Sequence, residues 1–545
     1  MRSTFMGLEA SKRGLFTQQS ALYTTGHNIS NANTLGYTRQ RVNFETTPGF
    51  PGSGLNSPTT AGHIGTGVQA HSVQRMRDEF VDRQFRQESN KLGYWSSTTK
   101  SISQMEDIMA EPSEYGINQA FTDFWKSIQD VSANPEDASP RKVMLAKAEA
   151  LADSFNYNYK QLQTIQSNIG NEISVSVGQI NSILKQIAAL NAQIQEVEPN
   201  GYMPNDLYDA RDSLLDELNE YIPVTTERVP SGGNALAIAE GSLTILFNGK
   251  ELVNGNTYSE LQAIGDGNDV ADKHKRINGN DLTVAFTKLQ STEPMTAKEH
   301  EELEKSNTPK TFINDFEHAN LEANKGKLLS LVNAYGYKNA AGDRDTLGIY
   351  PEMLQNLDKL ATTFKEAFNK VHQAGYSLNG TNISTHEFFE GTGALDLKVN
   401  EDFLKDPSLF AASSGAGEEG NGKWAIELSN LQFLGMNGQA AHSILGKPID
   451  FSNLDLDGAT FQNFYKGLTG DLAVKGQEAA RLEFNSTTLQ IQIDNNRASH
   501  NSVSLDEEMT NMITFQQAYN ANARMITVID ETLDKIINGM GRVGL

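Results

Sequence analysis

Two long stretches of this chain hold no proline to interrupt a helix. Residues 141 to 198 contain none, and residues 477 to 538 contain neither proline nor glycine. Proline inside a helix removes a backbone donor and clashes with the preceding turn, so these stretches are where long helices can run. In the first, Ile173, Val177, Ile180, Leu184 and Ile187 follow the alternating three- and four-residue steps of a coiled coil. Unbroken, it would reach about 85 Å, with Gly170 and Gly178 as the points where it could bend. In the second, Ser504 and Glu507 form an S-x-x-E capping box. One helix is therefore expected to end near residue 500 and another to begin at Leu505. On that last helix Leu505, Met509, Met512, Tyr519, Ile526, Leu533 and Ile537 share one seam, with Gln516, Ala523 and Asp530 in the gaps. Phe515, Ile529 and Ile536 widen the stripe.

The opening residues carry a matching signal. Leu8, Leu15, Leu22 and Ile29 recur every seven residues, while the second seam, Ser11, Gln18 and Thr25, is polar. Gly7, Gly14 and Gly26 each cost about 1 kcal/mol in a helix interior. A helix over residues 4 to 30 is thus weak alone and needs partners, and both ends are expected to fray in the isolated chain. Helices are also expected over 76 to 110 (Phe80, Phe85, Leu92, Ile102), 114 to 131 (Phe121, Phe124, Trp125, Ile128), Leu207 to Tyr221, and 350 to 374. Between them, from Val224, the character changes. Leu236, Ile238, Leu243, Ile245 and Phe247 alternate, and Gly232-Gly233, Asn248-Gly249 and Asn254-Gly255 punctuate them, which are strand and turn signals. Residues 293 to 325 read as a charged loop or short helix, and 375 to 457 as irregular.

The expected fold is α+β and multidomain. Terminal helices pair in a coiled-coil-like bundle, a long-helix domain adjoins them, and β-rich parts are inserted outward. The boundaries fall at 1–50 with 503–545, at 51–223 with 350–502, and at 224–349. A chain of 545 residues exceeds the size at which one core stops growing. With 45 basic and 68 acidic residues the net charge is −23, which repels phosphate backbones and anionic headgroups, so neither nucleic acid nor membrane is an expected partner. There are no cysteines, which removes disulfides and thiolate chemistry. The opening MRSTFMGLEASKRGLFTQQS lacks an apolar run fit for a cleaved signal.

Catalytic readings fail on their spacing. His386-Glu387-Phe388-Phe389-Glu390 has Glu390 where a zinc motif needs its second histidine. His300-Glu301-Glu302 sits in a charged run, and Asp266-Gly267-Asn268-Asp269 lacks the glycine and distant glutamate of a calcium loop. No catalytic, cofactor or metal site is expected.

Two terminal stretches are familiar. Asn28-Ile29-Ser30-Asn31-Ala32-Asn33-Thr34-Leu35-Gly36-Tyr37-Thr38-Arg39-Gln40 resembles the N-terminal signature of flagellar rod, hook and hook-associated proteins, with Leu35 in place of the usual proline. Val503-Ser504-Leu505-Asp506-Glu507-Glu508-Met509 and Phe515-Gln516-Gln517-Ala518-Tyr519-Asn520-Ala521-Asn522-Ala523-Arg524 are similar to that family's C-terminal helix. The run from Gly458 through Phe461 and Phe464 to Leu472 is similar to its junction members. The resemblance implies a secreted structural subunit at the hook–filament junction, exported unfolded by the flagellar type III route. It implies a homo-oligomeric ring set between hook protein and a second hook–filament junction protein, with a cytoplasmic flagellar export chaperone holding the C-terminal helix. The expected assembly interface is Leu8, Leu15, Leu22 and Ile29, the helix exit at Asn31, Asn33, Gly36 and Tyr37, and Leu505, Met509, Met512, Phe515, Tyr519, Ile526, Ile529, Leu533 and Ile536. The alternative is a secreted adhesin or effector with a coiled-coil stalk and a β-rich head.

Overall fold

The computed structural model describes residues 4–50, 65–110, 116–247, 249–264, 283–286, 290–291, 326–338, 346–381, 383–438 and 442–539. The charged segment 293 to 325, Asp266 to Asp269 and His300-Glu301-Glu302 lie outside them.

The helical frame follows the apolar spacing. Helix α1 (Thr4–Ser30) leads to a hairpin of β1 (Gln40–Thr46) and β2 (Val68–Arg75). Helix α2 (Glu79–Met109) begins where the Asp78 carboxylate accepts from the Phe80 amide at 2.8 Å, an N-cap. After α3 (Ile117–Ala133), the turn at Asn134–Asp137 starts α4 (Ala138–Val197), capped by Asp137 on the Ser139 amide. Helix α4 runs for 60 residues without a break, about 90 Å. Helix α5 (Asn205–Tyr221) folds back on α2 and α4.

The β region is an antiparallel five-stranded sheet. It comprises β3 (Thr225–Val229), β4 (Ser242–Phe247), β5 (Lys250–Asn254), β6 (Thr257–Tyr258) and β9 (Gln290–Ser291); β7 (Leu261–Ile264) pairs separately with β8 (Thr283–Phe286). Leu243, Ile245 and Phe247 are buried as the sequence pattern predicts, and Ser242 and Thr244 are buried too, so β4 is covered on both faces over most of its length. Asn191 of α4 clamps the sheet down: its side-chain nitrogen donates to the Leu243 carbonyl at 2.8 Å and its oxygen accepts from the Leu243 amide at 3.1 Å. Leu236 and Ile238, expected in a strand, lie in turns instead. Gly232 and Gly233 adopt positive φ (73° and 63°), Asn234 bonds to the Pro199 carbonyl, and Glu240 is drawn to Arg75 and Arg211, so this segment is pinned to helices rather than to a strand.

The chain re-enters the helices at α6 (Lys327–Tyr335), which sets Leu328 and Leu331 into the core. The short β10 (Tyr337–Lys338) and β11 (Thr346–Leu347) lead to α7 (Ile349–Gln373). The segment expected to be irregular holds small pieces: the hairpin β12–β13 (Phe389–Glu390, Lys398–Val399), α8 (Glu401–Lys405), α9 (Lys423–Asn430) and the hairpin β14–β15 (His442–Ile444, Lys447–Ile449). Two long helices close the chain, α10 (Phe461–Asn501) and α11 (Leu505–Gly539).

An aromatic cluster locks α3, α4, α7 and the start of α10 together. The Phe364 ring lies 5.1 Å from Phe121, 5.1 Å from Phe389 and 5.5 Å from Phe461, with Trp125 at 5.9 Å. All are essentially without solvent contact, and such edge and tilted pairs add about 1 kcal/mol each beyond their buried area. His372 is wholly enclosed; rings of Phe388, Phe403 and Phe410 each stand 5.2–5.7 Å from it or from each other. Among the described residues no helix is long and apolar enough to cross a membrane, and no cluster of three or more ligating side chains could hold a metal.

Candidate assembly surface on the terminal helices

Helices α1 and α11 pack antiparallel in a constant register. A Cβ added at Gly7 would touch Ile529 Cδ1 at 3.4 Å, one at Gly14 would lie 2.9 Å from Asn522 Nδ2, and Asn28 bonds Glu508. Each step of seven along α1 is met by an equal step back along α11, the signature of a heptad seam. The closest line on α1 is therefore Gly7, Gly14, buried Ala21 and Asn28, one residue beside the predicted leucines. The glycines that weaken α1 by propensity are the ones that let the two backbones approach. Leu8, Leu15, Leu22 and Ile29 flank this line and are half-buried. On α11 the half-buried positions are Met512, Phe515, Tyr519, Ile526, Ile529 and Leu533, whereas Leu505, Met509, Ile536 and Ile537 are exposed.

The helix exit folds as its residues require. Gly36 takes φ +81°, and a side chain there would collide with Ser213 Oγ. Asn31 bonds back to the His27 carbonyl through both its amide and its side chain (3.0 and 3.1 Å). Asn33 is exposed, and Leu35, at the tip, is 100% exposed. Tyr37 turns back onto the helix: its hydroxyl donates to Asn28 Oδ1 (2.8 Å) and lies 2.9 Å from His27 Nδ1. Burial, with Asp206, Asp209 and Glu508 nearby, pushes this phenol well above its ordinary range, so it stays a donor. A cleft of about 330 Å³ lies behind the turn, lined in part by His27, Asn31, Tyr37, Asp206 and Ser213.

The two familiar signatures are one knot. Asn28, 1% exposed, uses its whole amide: Oδ1 accepts from the Gln40 amide at 3.0 Å as well as from Tyr37, and Nδ2 donates to the Gln40 carbonyl at 2.8 Å and Glu508 Oε2 at 3.1 Å. Arg39 sets Nε 2.8 Å from Glu508 and Nη1 2.8 Å from Glu507, and its amide donates to the Asn501 carbonyl. Those two glutamates occupy the first turn of α11, where the helix dipole favours negative charge. Asn28, Arg39 and Glu508 were not singled out by spacing, because only the fold brings residues so distant in sequence together.

A second missed feature anchors this knot to the helical body. Five arginines (75, 77, 86, 211 and 497) interleave with Asp82, Asp209, Asp212, Asp216 and Glu240. Arg75 Nη1 reaches Asp209 at 2.6 Å, Arg77 reaches Asp212 at 2.7 Å, and Arg497 of α10 reaches Asp216 at 2.6 Å. Burial works against the Asp212 carboxylate, yet Arg77, Arg75 and Arg86 outweigh it and hold it well below the usual carboxylate range. At Asp209 burial prevails over Arg75, and the carboxyl is raised. Thr38 and Gln40 extend the same contact, donating to Asp209 and Asp206 of α5.

A paired terminal coiled coil, a long-helix body and an attached β region make an α+β multidomain protein, and the proteins it resembles are of the flagellar axial class. Residues 500–539 match the family model described as flagellar basal body rod FlgEFG protein C-terminal, and residues 102–389 match that of the flagellar hook-associated protein FlgK helical domain. Flagellar hook-associated protein 1 of Bacillus subtilis (strain 168) is 40% identical over 550 residues, covering 99% of both chains; that of Salmonella typhimurium (strain LT2) is 27% identical over 571 residues, covering 96% of this chain and 98% of its own. The structure of the flagellar hook junction protein FlgK from Burkholderia pseudomallei shares the fold with a TM-score of 0.53 at 13% identity, over 77% of this chain and 100% of that one. The chain belongs to the FlgK family, that of flagellar hook-associated protein 1, and is a structural junction subunit of the flagellum.

Proposed function

We propose that copies of this chain form a ring between hook and filament, with the α1–α11 pair lining the shaft. The observation that carries the reading is what the pair leaves uncovered. Folded on each other, the helices still expose Phe16 (54%), Tyr23 (78%), Met525 (52%) and Val528 (51%) on their outer sides. Exposed apolar side chains aligned along helices mark surfaces meant for other subunits. In this reading the interface includes Leu8, Leu15, Leu22, Ile29, the exit at Asn31 to Tyr37, and the α11 positions from Leu505 to Ile536. Hook protein lies on one side and the second junction protein on the other. The protein is secreted by the flagellar type III route and resides outside the cell, and an export chaperone shields α11 beforehand. Its role is structural rather than catalytic. Residues 1–50 with 503–545 serve as the axial domain, 51–223 with 350–502 as the helical domain, and 224–349 as the outward β insertion, except that α6 within it packs back on α2 and α4 of the helical body.

The test is deletion of residues 505–545, or of 4–30, in a strain dependent on this chain. Electron microscopy should show hooks without filaments. Intact flagella would overturn the proposal that these helices carry the assembly.

A further inference from the structure

Helix α10 contacts the body along one seam and leaves its opposite face bare. Leu472, Ala479 and Ser486, seven apart, are buried on the side facing α2, and contacts such as Gln490 to Ser89 (2.8 Å) and Arg497 to Asp82 (2.8 Å) fix the two helices antiparallel. On the other side Phe484 (72%), Leu489 (47%) and Ile491 (57%) stand in solvent. Every exposed residue from Phe484 to Gln492 is uncharged; half-buried Glu483 and exposed Arg481 stand on one flank and Asp494 on the other. The same feature recurs elsewhere. Along α4, every exposed residue from Gln163 to Ser182 is uncharged, a tract of about 30 Å. Its one carboxylate, Glu172, is half-buried and spent on Lys100 and Lys327.

In a chain with net charge −23, two helix faces without a charged residue exposed need a reason. Identical copies repel one another as wholes, so the surfaces on which they meet are those that add no like charge. The α10 tract supplies large apolar knobs. The α4 tract supplies Thr164, Asn168, Asn171, Ser174 and Val175, and open space over Gly178. Two different faces that fit each other make a head-to-tail contact, which closes into a ring when the rotation permits.

We infer that the outer face of α10 around Phe484, Leu489 and Ile491 docks on the uncharged outer face of α4, residues 163 to 182, in a second copy of this chain. This rests on the ring reading above and names a second belt of contact, outside the terminal helices.

The absence of cysteine lets thiols report without background. Full-length chains carrying Asn168→Cys or Asn171→Cys together with Asn485→Cys or Gln492→Cys would be assembled into flagella and oxidised. A ladder of linked multimers should appear on non-reducing gels from at least one double variant, and none from any single variant, since a disulfide needs Cα atoms within about 7 Å. Dimers from Gln492→Cys alone would show α10 meeting α10 and overturn the inference. So would monomers from all double variants in flagella that bear filaments, or a Gln492→Cys thiol already protected in the free chain, which would mean the face is covered by the chain's own residues. Phe484→Ser with Ile491→Ser should keep the parent's melting profile and shed filaments. The variant Phe16→Ser with Tyr23→Ser separates the two readings. Filaments retained there while the ladder still forms would defeat the terminal-helix reading alone. Filaments lost there while no ladder forms in the cysteine variants would defeat this inference alone.

Discussion

Replacing Asn28 with aspartate probes the knot between the two ends of the chain. The Asn28 amide has no spare hydrogen-bonding atom, and its nitrogen donates to Glu508 Oε2 at 3.1 Å and to the Gln40 carbonyl. Asn28→Asp keeps the shape and the accepting oxygen, but turns the donor into a second carboxylate oxygen aimed at a carboxylate. Two unit charges at that distance repel by about 5 kcal/mol at an effective dielectric of 20. Arg39, already shared between Glu507 and Glu508, offsets part of this, leaving a net cost on the order of 3 kcal/mol. Asn28→Ala removes the amide altogether and leaves the Gln40 amide and the Tyr37 hydroxyl without their acceptor, about 1–3 kcal/mol for each orphaned group. The two variants separate by pH. A proton held between the introduced carboxyl and Glu508 raises the folded pKa, so Asn28→Asp regains stability below that pKa and loses it as pH rises through it. Hydrogen exchange over α1 and β1 of the full chain, expressed as protection factors, reads this directly. Protection in Asn28→Asp should fall sharply at pH 8 and recover toward pH 5, while Asn28→Ala stays low at both. Wild-type protection at pH 8, or a loss that does not shrink at pH 5, would refute the knot.

Gly26 and Gly14 should respond oppositely to alanine. Nothing lies within 4 Å of a Cβ at Gly26, so Gly26→Ala should raise α1 protection by about 1 kcal/mol, whereas Gly14→Ala must displace Asn522 and forfeit that gain; equal gains would contradict the register. Burial, with Arg141 adding to it, pulls His372 down to about 3. The unfolded chain therefore takes up a proton near pH 6.5 that the fold refuses, and stability falls between there and pH 3 by at most about 1.4 kcal/mol per pH unit. His372→Phe should flatten that acid limb of the urea midpoint, and an unchanged slope would count against it. Arg497→Ala leaves Asp82 to Arg77 and Asp216 to Arg86 and removes two charge-assisted contacts from α10, which should cost about 2 kcal/mol in urea unfolding, with early loss of α10 amide protection; a midpoint near that of the parent would deny the network its role.

Long periodic elements were legible in the sequence, and what depended on distant partners was not. The capping box at Ser504 and Glu507 marked the break between α10 and α11, and the proline-free run marked α4. The heptad of Leu8, Leu15, Leu22 and Ile29 marked α1 but not its contact line, because the closest approach selects the smallest residues and a pattern of apolar residues points one position away. On α11 the stripe ran from Leu505 to Ile537, yet Leu505, Met509 and Ile537 face solvent, and Asn522 occupies the seam opposite Gly14. The hairpin β1–β2 was missed: Val42 and Phe44 alone alternate in β1, and a long connection separates its strands. Leu236 and Ile238 alternate as convincingly, but Pro199 and the arginines hold their segment in turns. The arginine–carboxylate network joins residues more than a hundred apart, such as Arg75 with Asp209, and no local spacing announces it.

The central claim is that the outer sides of α1 and α11, bare in the free chain, are covered in the flagellum. Single cysteines at Tyr23 and Met525, read by a small maleimide in the cysteine-free background, measure that coverage. Rapid labelling of the free protein and at least tenfold slower labelling in isolated flagella is the predicted result. Equal rates in both states would contradict it.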